Sequence, residues 1–167
     1  KNMNDSSNIC LSCGLCCDGS LIGFVQVENE EVSSLSKLME IEDSKDFGVF
    51  LQPCSNYCNG CSIYANRPKQ CASFKCGLLK SLEQKEIDFD VAIESISQVK
   101  QKKIDLEEKI ETLNIKLKEP SFYFKMIELK KLLQKIEAES SLSQKHLDLK
   151  SDQNKLDNLL LSKFNLS

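Results

Sequence analysis

The chain has 167 residues, with 22 lysines and arginines against 25 acidic residues and a formal net charge of −3. Its lysines alternate with acids and form no basic patch, so we predict no nucleic-acid binding. No apolar run approaches the roughly 18 residues of a membrane span, so none is predicted. All nine cysteines precede a glycine-poor stretch rich in Leu, Ile, Lys and Glu. We therefore predict two units of unlike construction, residues 1–80 and 81–167.

The first motif is a bunch of four cysteines, Cys10-x2-Cys13-x2-Cys16-Cys17. The two-residue interval is the commonest chelating spacing for zinc and for iron–sulfur clusters. Adjacent side chains diverge by about 100° on a helix or about 180° on a strand. We therefore expect Cys16 and Cys17 to serve different metals or different edges of one cluster.

Short elements follow the first bunch. Residues 21–27 alternate apolar and small side chains, which predicts a strand. Residues 28–39 carry apolar side chains at helical spacing with acids in the first turn, which predicts a helix. Residues 46–51 are a candidate second strand. The core of this small, irregular unit is too thin to be stable without disulfide bonds or a bound metal. Its apolar side chains are expected to cover the metal.

The second bunch of cysteines comprises Cys54, Cys58, Cys61, Cys71 and Cys76. Within it lies the only arginine of the chain, Arg67, directly before Pro68. Proline forces a rigid turn here, between two predicted ligands. We predict that Arg67 binds the cofactor region through a carbonyl, carboxylate or thiolate, and that Lys69 and Lys75 help it to favour deprotonated cysteines. The alternative is an ordinary surface arginine beside a loop proline.

Strong helical periodicity begins after the second bunch. Helices are predicted at about 88–118, capped by Asp88 or Asp90, at about 120–140 with Pro120 in the first turn, and near 152–165. Lys103 is the single polar interruption in the heptad stripe of the first helix. The first two helices predict an antiparallel hairpin or coiled-coil arm. The apolar stripes of the two helices can bury each other within the chain. Alternatively, residues 88–165 can bind a protein partner or a second copy of the chain. The predicted class is α+β.

Metal binding and disulfide bonding compete to explain the nine cysteines. An odd count is awkward for a disulfide framework, and adjacent Cys16 and Cys17 can bridge each other only in a strained ring. The repeated Cys-x2-Cys spacing favours metal. The only histidine is His146, far down the tail, so the predicted site is sulfur-rich. Such a site selects zinc, iron–sulfur or cuprous copper.

These cysteines, together with the string Ile63-Tyr64-x2-Arg67-Pro68-x2-Cys71, resemble the bacterial CxxCxxCC cysteine-cluster family, also called YkgJ-type, whose members are described as zinc- or iron-chelating. The resemblance covers about residues 8–80. It implies eight metal ligands and leaves Cys58 as an addition. One departure is Ser55–Cys58, which replaces an apolar Pro-Phe-Leu-like stretch of the family. The implied ligands are Cys10, Cys13, Cys16, Cys17, Cys54, Cys61, Cys71 and Cys76.

The favoured hypothesis is a cytoplasmic protein that binds zinc or an iron–sulfur cluster through cysteines alone and associates through its helical arm. The alternative is an interaction or scaffold protein in which structural zinc only folds the module. A second alternative is an iron–sulfur oxidoreductase or a methylase-like enzyme, because the family includes relatives of a flagellin lysine N-methylase. No glycine-rich nucleotide-binding loop supports that last hypothesis, and whether the protein is an enzyme is left open.

Overall fold

The computed structural model describes the backbone of residues 6–166 and the side chains of residues 9–166. A small antiparallel sheet followed by long helices confirms the predicted α+β class. The elements are α1 (Ser6–Cys13), β1 (Phe24–Glu28), α2 (Asn29–Leu35), β2 (Glu42–Asp43), β3 (Phe47–Leu51), a 3-10 turn (Tyr64–Asn66), α3 (Lys69–Ser73), α4 (Gly77–Glu83), α5 (Phe89–Thr112), α6 (Phe122–Glu139) and α7 (Gln144–Phe164).

The sheet has the strand order β1-β3-β2, with both pairings antiparallel. Strand β1 pairs with β3 from Phe24 opposite Leu51 to Glu28 opposite Phe47. Because side chains alternate between the two faces of a sheet, one face packs against α2 and the other is exposed. The buried face and α2 form the sheet core, which consists of Val25, Val27, Val32, Leu35, Met39 and Phe50.

Both predicted strands and the predicted helix between them are confirmed, with shifted ends. Strand β1 begins at Phe24, three residues later than expected, because the N–H of Leu21 still donates to the Leu15 carbonyl within the cysteine loop (3.1 Å). Helix α2 ends at Leu35, before the expected position, because the next N–H groups turn to carbonyls three residues back: Lys37 to Ser34 (3.4 Å) and Leu38 to Leu35 (2.9 Å). The side chain of Met39 is nevertheless buried in the sheet core.

The long helices α5 and α6 lie where the periodicity places them. The Asp88 carboxylate accepts the Val91 N–H at 2.9 Å and caps α5, as predicted. Helix α5 ends at Thr112, six residues before the expected end. Helix α6 is capped by Ser121, so Pro120 lies before the cap and not in the first turn. The buried side chains of the α5 stripe are Ala92, Ile96, Val99, Leu106 and Ile110.

The last helix is longer than predicted: α7 starts at Gln144 behind the cap Ser143, eight residues before the expected start. The sequence led us to expect α5 and α6 to pair. In the structure α7 makes the most extensive packing with α5 and also contacts α4 and α6. Side-chain bonds across these helices include an ion pair of Lys109 with Asp152 and a hydrogen bond from Gln153 Nε2 to the Met126 carbonyl (2.8 Å).

The helical core extends beyond α4–α7 toward the first cysteines. It includes Ile9, Leu15 and Leu21 as well as the buried side chains of the four C-terminal helices, and Phe164 near the end of the chain is fully buried within it. The division at residue 80 stays a prediction. Of the helices in the described part of the chain, none has the length and apolar composition that a membrane crossing requires.

Candidate metal centre

Eight of the nine cysteines line a single open cavity of about 1050 Å³. The ninth, Cys58, is exposed and does not line it. All nine are free thiols. The structure therefore brings together the residues that the family resemblance singles out and leaves out the one it treats as an addition. The eight are Cys10, Cys13, Cys16, Cys17, Cys54, Cys61, Cys71 and Cys76.

A helix and a tight loop position the first bunch. Helix α1 carries Cys10 and Cys13, and it stops at Gly14, whose φ of +67° lies in the left-handed region that favours glycine. The chain then wraps around the buried side chain of Leu15, with the Asp18 N–H bonded to the Gly14 carbonyl (2.9 Å). This loop carries the adjacent pair that the sequence predicts to point in different directions.

Backbone hydrogen bonds tie the second bunch to that loop. The Cys54 N–H donates to the Cys17 carbonyl (2.8 Å), and Nε2 of buried Gln52 donates to the Cys16 carbonyl (2.8 Å). Tyr57, between Cys54 and the next ligand, packs directly on the backbone of the first loop. The two bunches, more than 35 residues apart in sequence, are thereby held as one site.

Five of the eight thiols pack against one of the two cores. Cys13, Cys16 and Cys76 pack against the helical core. Cys54 and Cys71 pack against the sheet core. Cys76 reaches the first bunch because it directly precedes α4, which contacts α1, whereas Cys71 lies on α3, which contacts β1. The division therefore cuts across the two bunches seen in the sequence.

Electrostatic coupling agrees with this division and extends it to all eight thiols. Cys10, Cys13, Cys16 and Cys76 form what we call the first thiol set. Burial raises the pKa of Cys13 to about 12, and the charges of Cys76 and Cys10 act in the same direction. Burial is also the main cause of the raised pKa of Cys16, followed by Cys13 and Cys76. The pKa of Cys10 is raised by burial and then by Cys76. Cys16 also interacts with its neighbour Cys17, where the sets adjoin.

Cys17, Cys54, Cys61 and Cys71 form the second thiol set. Burial raises the pKa of Cys17 to about 11, and the charges of Cys61 and Cys54 follow. Burial likewise raises the pKa of Cys71 to about 12, followed by Cys17, Cys54 and Cys61. The pKa of Cys54 is raised by burial and also by Cys61. Of the charges that raise the pKa of Cys17, that of Cys10 has the smallest effect. Cys17 is therefore coupled more strongly to Cys61 and Cys54 in its own set than to Cys10 in the first set.

A sequence model of the CxxCxxCC family, described as "putative zinc- or iron-chelating domain", matches residues 9–91. Residues 9–91 of this chain belong to the CxxCxxCC family. The matched range contains both thiol sets and extends into the first turn of α5. No curated protein and no solved structure is significantly similar to this chain. The family description agrees with the predicted choice between zinc and iron and supports metal binding in general.

The donor chemistry of this CxxCxxCC domain fits a thiophilic metal. Each set offers four sulfurs, which suits zinc or an iron–sulfur cluster and not magnesium or calcium. Because burial keeps several of these thiols protonated, a bound cation has to displace protons, and binding weakens as pH falls. Within the described residues, no three Cys, His, Asp or Glu side chains are already arranged to hold a metal ion. A metal bound by either set would therefore require its thiols to move closer together.

Arg67 lines the cavity, and its charge reaches both thiol sets of the CxxCxxCC domain. Its positive charge lowers the pKa of Cys10 in the first set and that of Cys71 in the second, against the larger effect of burial. Its guanidinium group stacks on the Tyr64 ring, 3.8 Å from the centroid, and Nη1 donates to the Tyr64 carbonyl (2.7 Å). Arg67 is thus a held side chain and not a free surface arginine.

The two lysines expected to assist Arg67 are engaged elsewhere. Lys69 forms an ion pair with Glu28 (2.9 Å), and Lys75 forms one with Glu83 (3.0 Å). The charge that lowers the pKa of Cys10 and of Cys71 is that of Arg67, not that of Lys69 or Lys75. The carboxylate partner of Lys69 could not be read from the local sequence, because Glu28 lies 41 residues away from it.

Helix α5 supplies two lysines that sequence reasoning did not connect to the cysteines. Lys103 Nζ pairs with Asp18 at 3.4 Å, with both side chains about one-fifth exposed. Lys100 Nζ donates to the Ser12 carbonyl (3.3 Å), and its charge lowers the pKa of Cys13. One signal was present: Lys103 is the polar interruption of an otherwise apolar stripe. Both lysines attach the first cysteine loop to the helical bundle.

Proposed function

We propose that this domain chelates zinc or an iron–sulfur cluster at two centres, one in each thiol set. The observation that supports this most directly is that electrostatic coupling groups the eight thiols into two sets of four. The five thiols that pack against a hydrophobic core follow the same division. Four thiolates satisfy a tetrahedral zinc ion or the irons of a cluster. The adjacent pair Cys16 and Cys17 then contributes one ligand to each centre, in line with the divergence expected of neighbouring side chains.

Arg67 has an electrostatic role in this proposal. A zinc ion with four thiolates carries a net charge of about −2, so two such centres beside each other repel. A guanidinium whose charge reaches both centres reduces that repulsion, and its stacking on Tyr64 helps to keep it in place. No ion pair joins Arg67 to a carboxylate within residues 9–166. This extends the predicted cofactor-binding role of Arg67 to both centres.

The identity of the metal determines whether the proposed function is structural or involves redox chemistry. Two closed four-sulfur zinc sites are structural and favour the scaffold hypothesis. That alternative is supported by the packing of Cys13, Cys16 and Cys76 on the same core as α4–α7, because metal at the first set then braces the helical arm. Iron instead supports electron transfer or cluster-dependent chemistry.

Association through residues 88–165 is the least constrained part of the proposal. Several large apolar side chains on the long helices are exposed, and a homo-oligomer or another protein partner can cover them. They are scattered over three helices, so they indicate no particular partner. These side chains are Val91, Ile104, Ile127, Leu147 and Leu161.

Metal analysis of purified variants tests the function. The protein is prepared without oxygen, and zinc, iron and acid-labile sulfide are measured per chain. We expect two centres in the wild type, and loss of at least one centre in Cys13→Ser, of the first set, and in Cys61→Ser, of the second. Cys58→Ser is the matched control, because this thiol is exposed and outside the cavity, and it should retain all metal.

The same experiment separates the alternatives. Iron with sulfide and visible colour indicates a cluster protein, whereas about two zinc ions and no colour indicate a structural site. Full metal content in both Cys13→Ser and Cys61→Ser would contradict the ligand assignment. Loss of metal in Cys58→Ser would show that the ninth thiol is a ligand and that the division into two sets is wrong.

A further inference from the structure

The first turn of α6 rests on the loop that carries Cys16 and Cys17. The Tyr123 N–H, which has no partner within the helix because it lies in the first turn, donates to the Gly19 carbonyl at 2.8 Å. Gly19 also lies against Ser121, the cap of α6: a side-chain carbon added to Gly19 would be 2.9 Å from Ser121 Cβ. The start of α6 and the first cysteine loop are therefore in close contact.

A lysine and two aromatic rings add to this attachment. Lys103 of α5 pairs with Asp18 at 3.4 Å, and its Nζ also lies 5.4 Å from the centroid of the Phe122 ring. The ring of Phe124 covers Gly23, where an added side-chain carbon would overlap it. All four residues at the start of α6, from its cap onward, thus contact the first cysteine loop directly or through Lys103. We call these contacts the α6 attachment, which joins residues 121–124 to residues 18–23.

Hydrogen bonds make the attached loop continuous with the two ligands. The Cys16 carbonyl accepts the Gly19 N–H (3.2 Å), and the Leu15 carbonyl accepts the N–H groups of Ser20 (3.0 Å) and Leu21 (3.1 Å). These bonds connect the backbone of the adjacent cysteines to the residues that hold α6. A metal that draws the thiols of this loop together therefore also restrains the segment on which α6 rests.

We propose that metal binding at the thiol sets holds the start of α6 on the first cysteine loop, and that loss of metal releases it. This inference rests on the proposed metal function. Release uncovers Phe122 and Met126, which are 7% and 8% exposed in the structure, so metal occupancy controls an apolar surface of the helical arm. Because such coupling is reciprocal, weakening the α6 attachment also weakens metal binding, typically by about 5- to 150-fold.

Hydrogen exchange of individual amides tests the release directly. The full-length, reduced protein is measured with Zn²⁺ bound and again after a chelator has removed it. We expect the Tyr123 amide to exchange at least about fivefold faster without Zn²⁺, because its acceptor Gly19 is no longer held in place. The matched control is the Val91 amide, which donates to the Asp88 cap of α5 (2.9 Å) outside the α6 attachment and should keep its rate.

Two variants test the reciprocal effect with Co²⁺ as a spectroscopic probe of affinity. Lys103→Met breaks the contacts with Asp18 and Phe122 but continues the apolar stripe of α5, so a merely structural lysine would leave Co²⁺ affinity unchanged. We expect the affinity to fall at least about fivefold. The matched control is Lys109→Met, which breaks an ion pair between α5 and α7 and should have no effect on Co²⁺ binding.

Gly23→Ala separates the contact from the charge. The added methyl group displaces the Phe124 ring without altering any charge, and it lies six residues beyond Cys17. We expect Co²⁺ affinity to fall in the same direction as in Lys103→Met, with faster exchange at Tyr123 in the metal-bound protein.

Several outcomes overturn the proposal. Zn²⁺ binding without any change at Tyr123 would show that α6 does not respond to metal, and unchanged Co²⁺ affinity in both Lys103→Met and Gly23→Ala would show the same. Equal acceleration at Val91 would mean that metal removal loosens all the helices, which contradicts a specific release of α6. If the wild type binds neither Zn²⁺ nor Co²⁺, the proposed metal function itself fails, which is a different result from metal binding without release.

Discussion

The first and second thiol sets have the same chemistry but different support. The first packs on the helical core, which is shared by α1 and the four C-terminal helices. The second packs on the small core between one face of a three-stranded sheet and α2. Because a large core resists distortion better than a small one, the first set is expected to persist without metal longer than the second. Variants in the two cores test that difference directly, and variants elsewhere test what the two sets share.

Removing a buried aromatic side chain from each core should have the largest effect. The side chain of Phe164 is fully buried in the helical core, and its backbone carbonyl lies against Gly77, next to Cys76. Phe164→Ala is expected to cost about 3–5 kcal/mol in the free energy of unfolding and to release metal from the first set before the second. Denaturant unfolding, combined with metal release into a chromogenic chelator, measures both quantities.

The counterpart is Phe50→Ala in the sheet core, where Phe50 is 4% exposed. It should show the reverse order, with metal leaving the second set first. If both variants release the two metals together, the domain has a single cooperative core and the contrast between the sets does not hold.

Gly14→Ala should have the next largest effect. A non-glycine residue at φ +67° costs about 1–3 kcal/mol, and the added methyl group also overlaps Tyr57. We expect weaker metal binding at both sets, measured by competition with a calibrated chelator. Gly60→Ala adds strain without a contact: its φ of +144° is at least as unfavourable for an alanine, but nothing lies within 4 Å of the added carbon. A loss of metal affinity in Gly60→Ala together with none in Gly14→Ala would contradict a role for the contact with Tyr57.

Arg67→Gln should have a smaller effect that both sets share. Removing the charge and the stacking on Tyr64 is expected to cost roughly 1–2 kcal/mol, or about tenfold in metal affinity. Arg67→Lys keeps the charge but loses the stacked fork, so it should recover part of the affinity. Lys69→Gln, which breaks only the exposed pair with Glu28, serves as the control. A loss of metal affinity at one set alone in Arg67→Gln would contradict an electrostatic role of Arg67 at both sets.

Glu128→Gln should have the smallest effect and leave both sets unchanged. The Glu128 carboxylate accepts the N–H of Lys118 (2.8 Å) and of Glu119 (3.1 Å), and these bonds lower its pKa from 4.5. Because the folded-state pKa lies below the unfolded one, the stabilisation is present above pH 4.5 and is lost as pH falls through the folded pKa. The expected cost at neutral pH is about 0.5 kcal/mol after solvent screening.

Unfolding measured across this pH range checks the expectation. The difference between wild type and Glu128→Gln should shrink as pH drops, while metal content stays equal at neutral pH. A change in metal content would show that the loop between α5 and α6 influences the thiol sets.

The sequence by itself determined the features that depend on local spacing. The Cys-x2-Cys intervals pointed to metal and to the CxxCxxCC family, and the spacing of apolar side chains located α5 and α6. The cap at Asp88 was also predicted, since a cap acts within four residues. Helix α7 was underestimated because its first turns are polar and only Leu149 and a few later side chains reach the core.

Tertiary structure alone decided how the cysteines are divided. In sequence Cys76 belongs with the second bunch, but the packing of α4 on α1 brings it to Cys13 and Cys16. Lys103 interrupts the apolar stripe of α5, and its ion-pair partner Asp18 lies 85 residues away in the sequence. These pairings arise from packing between distant segments, and sequence spacing carries no information about distances across a core.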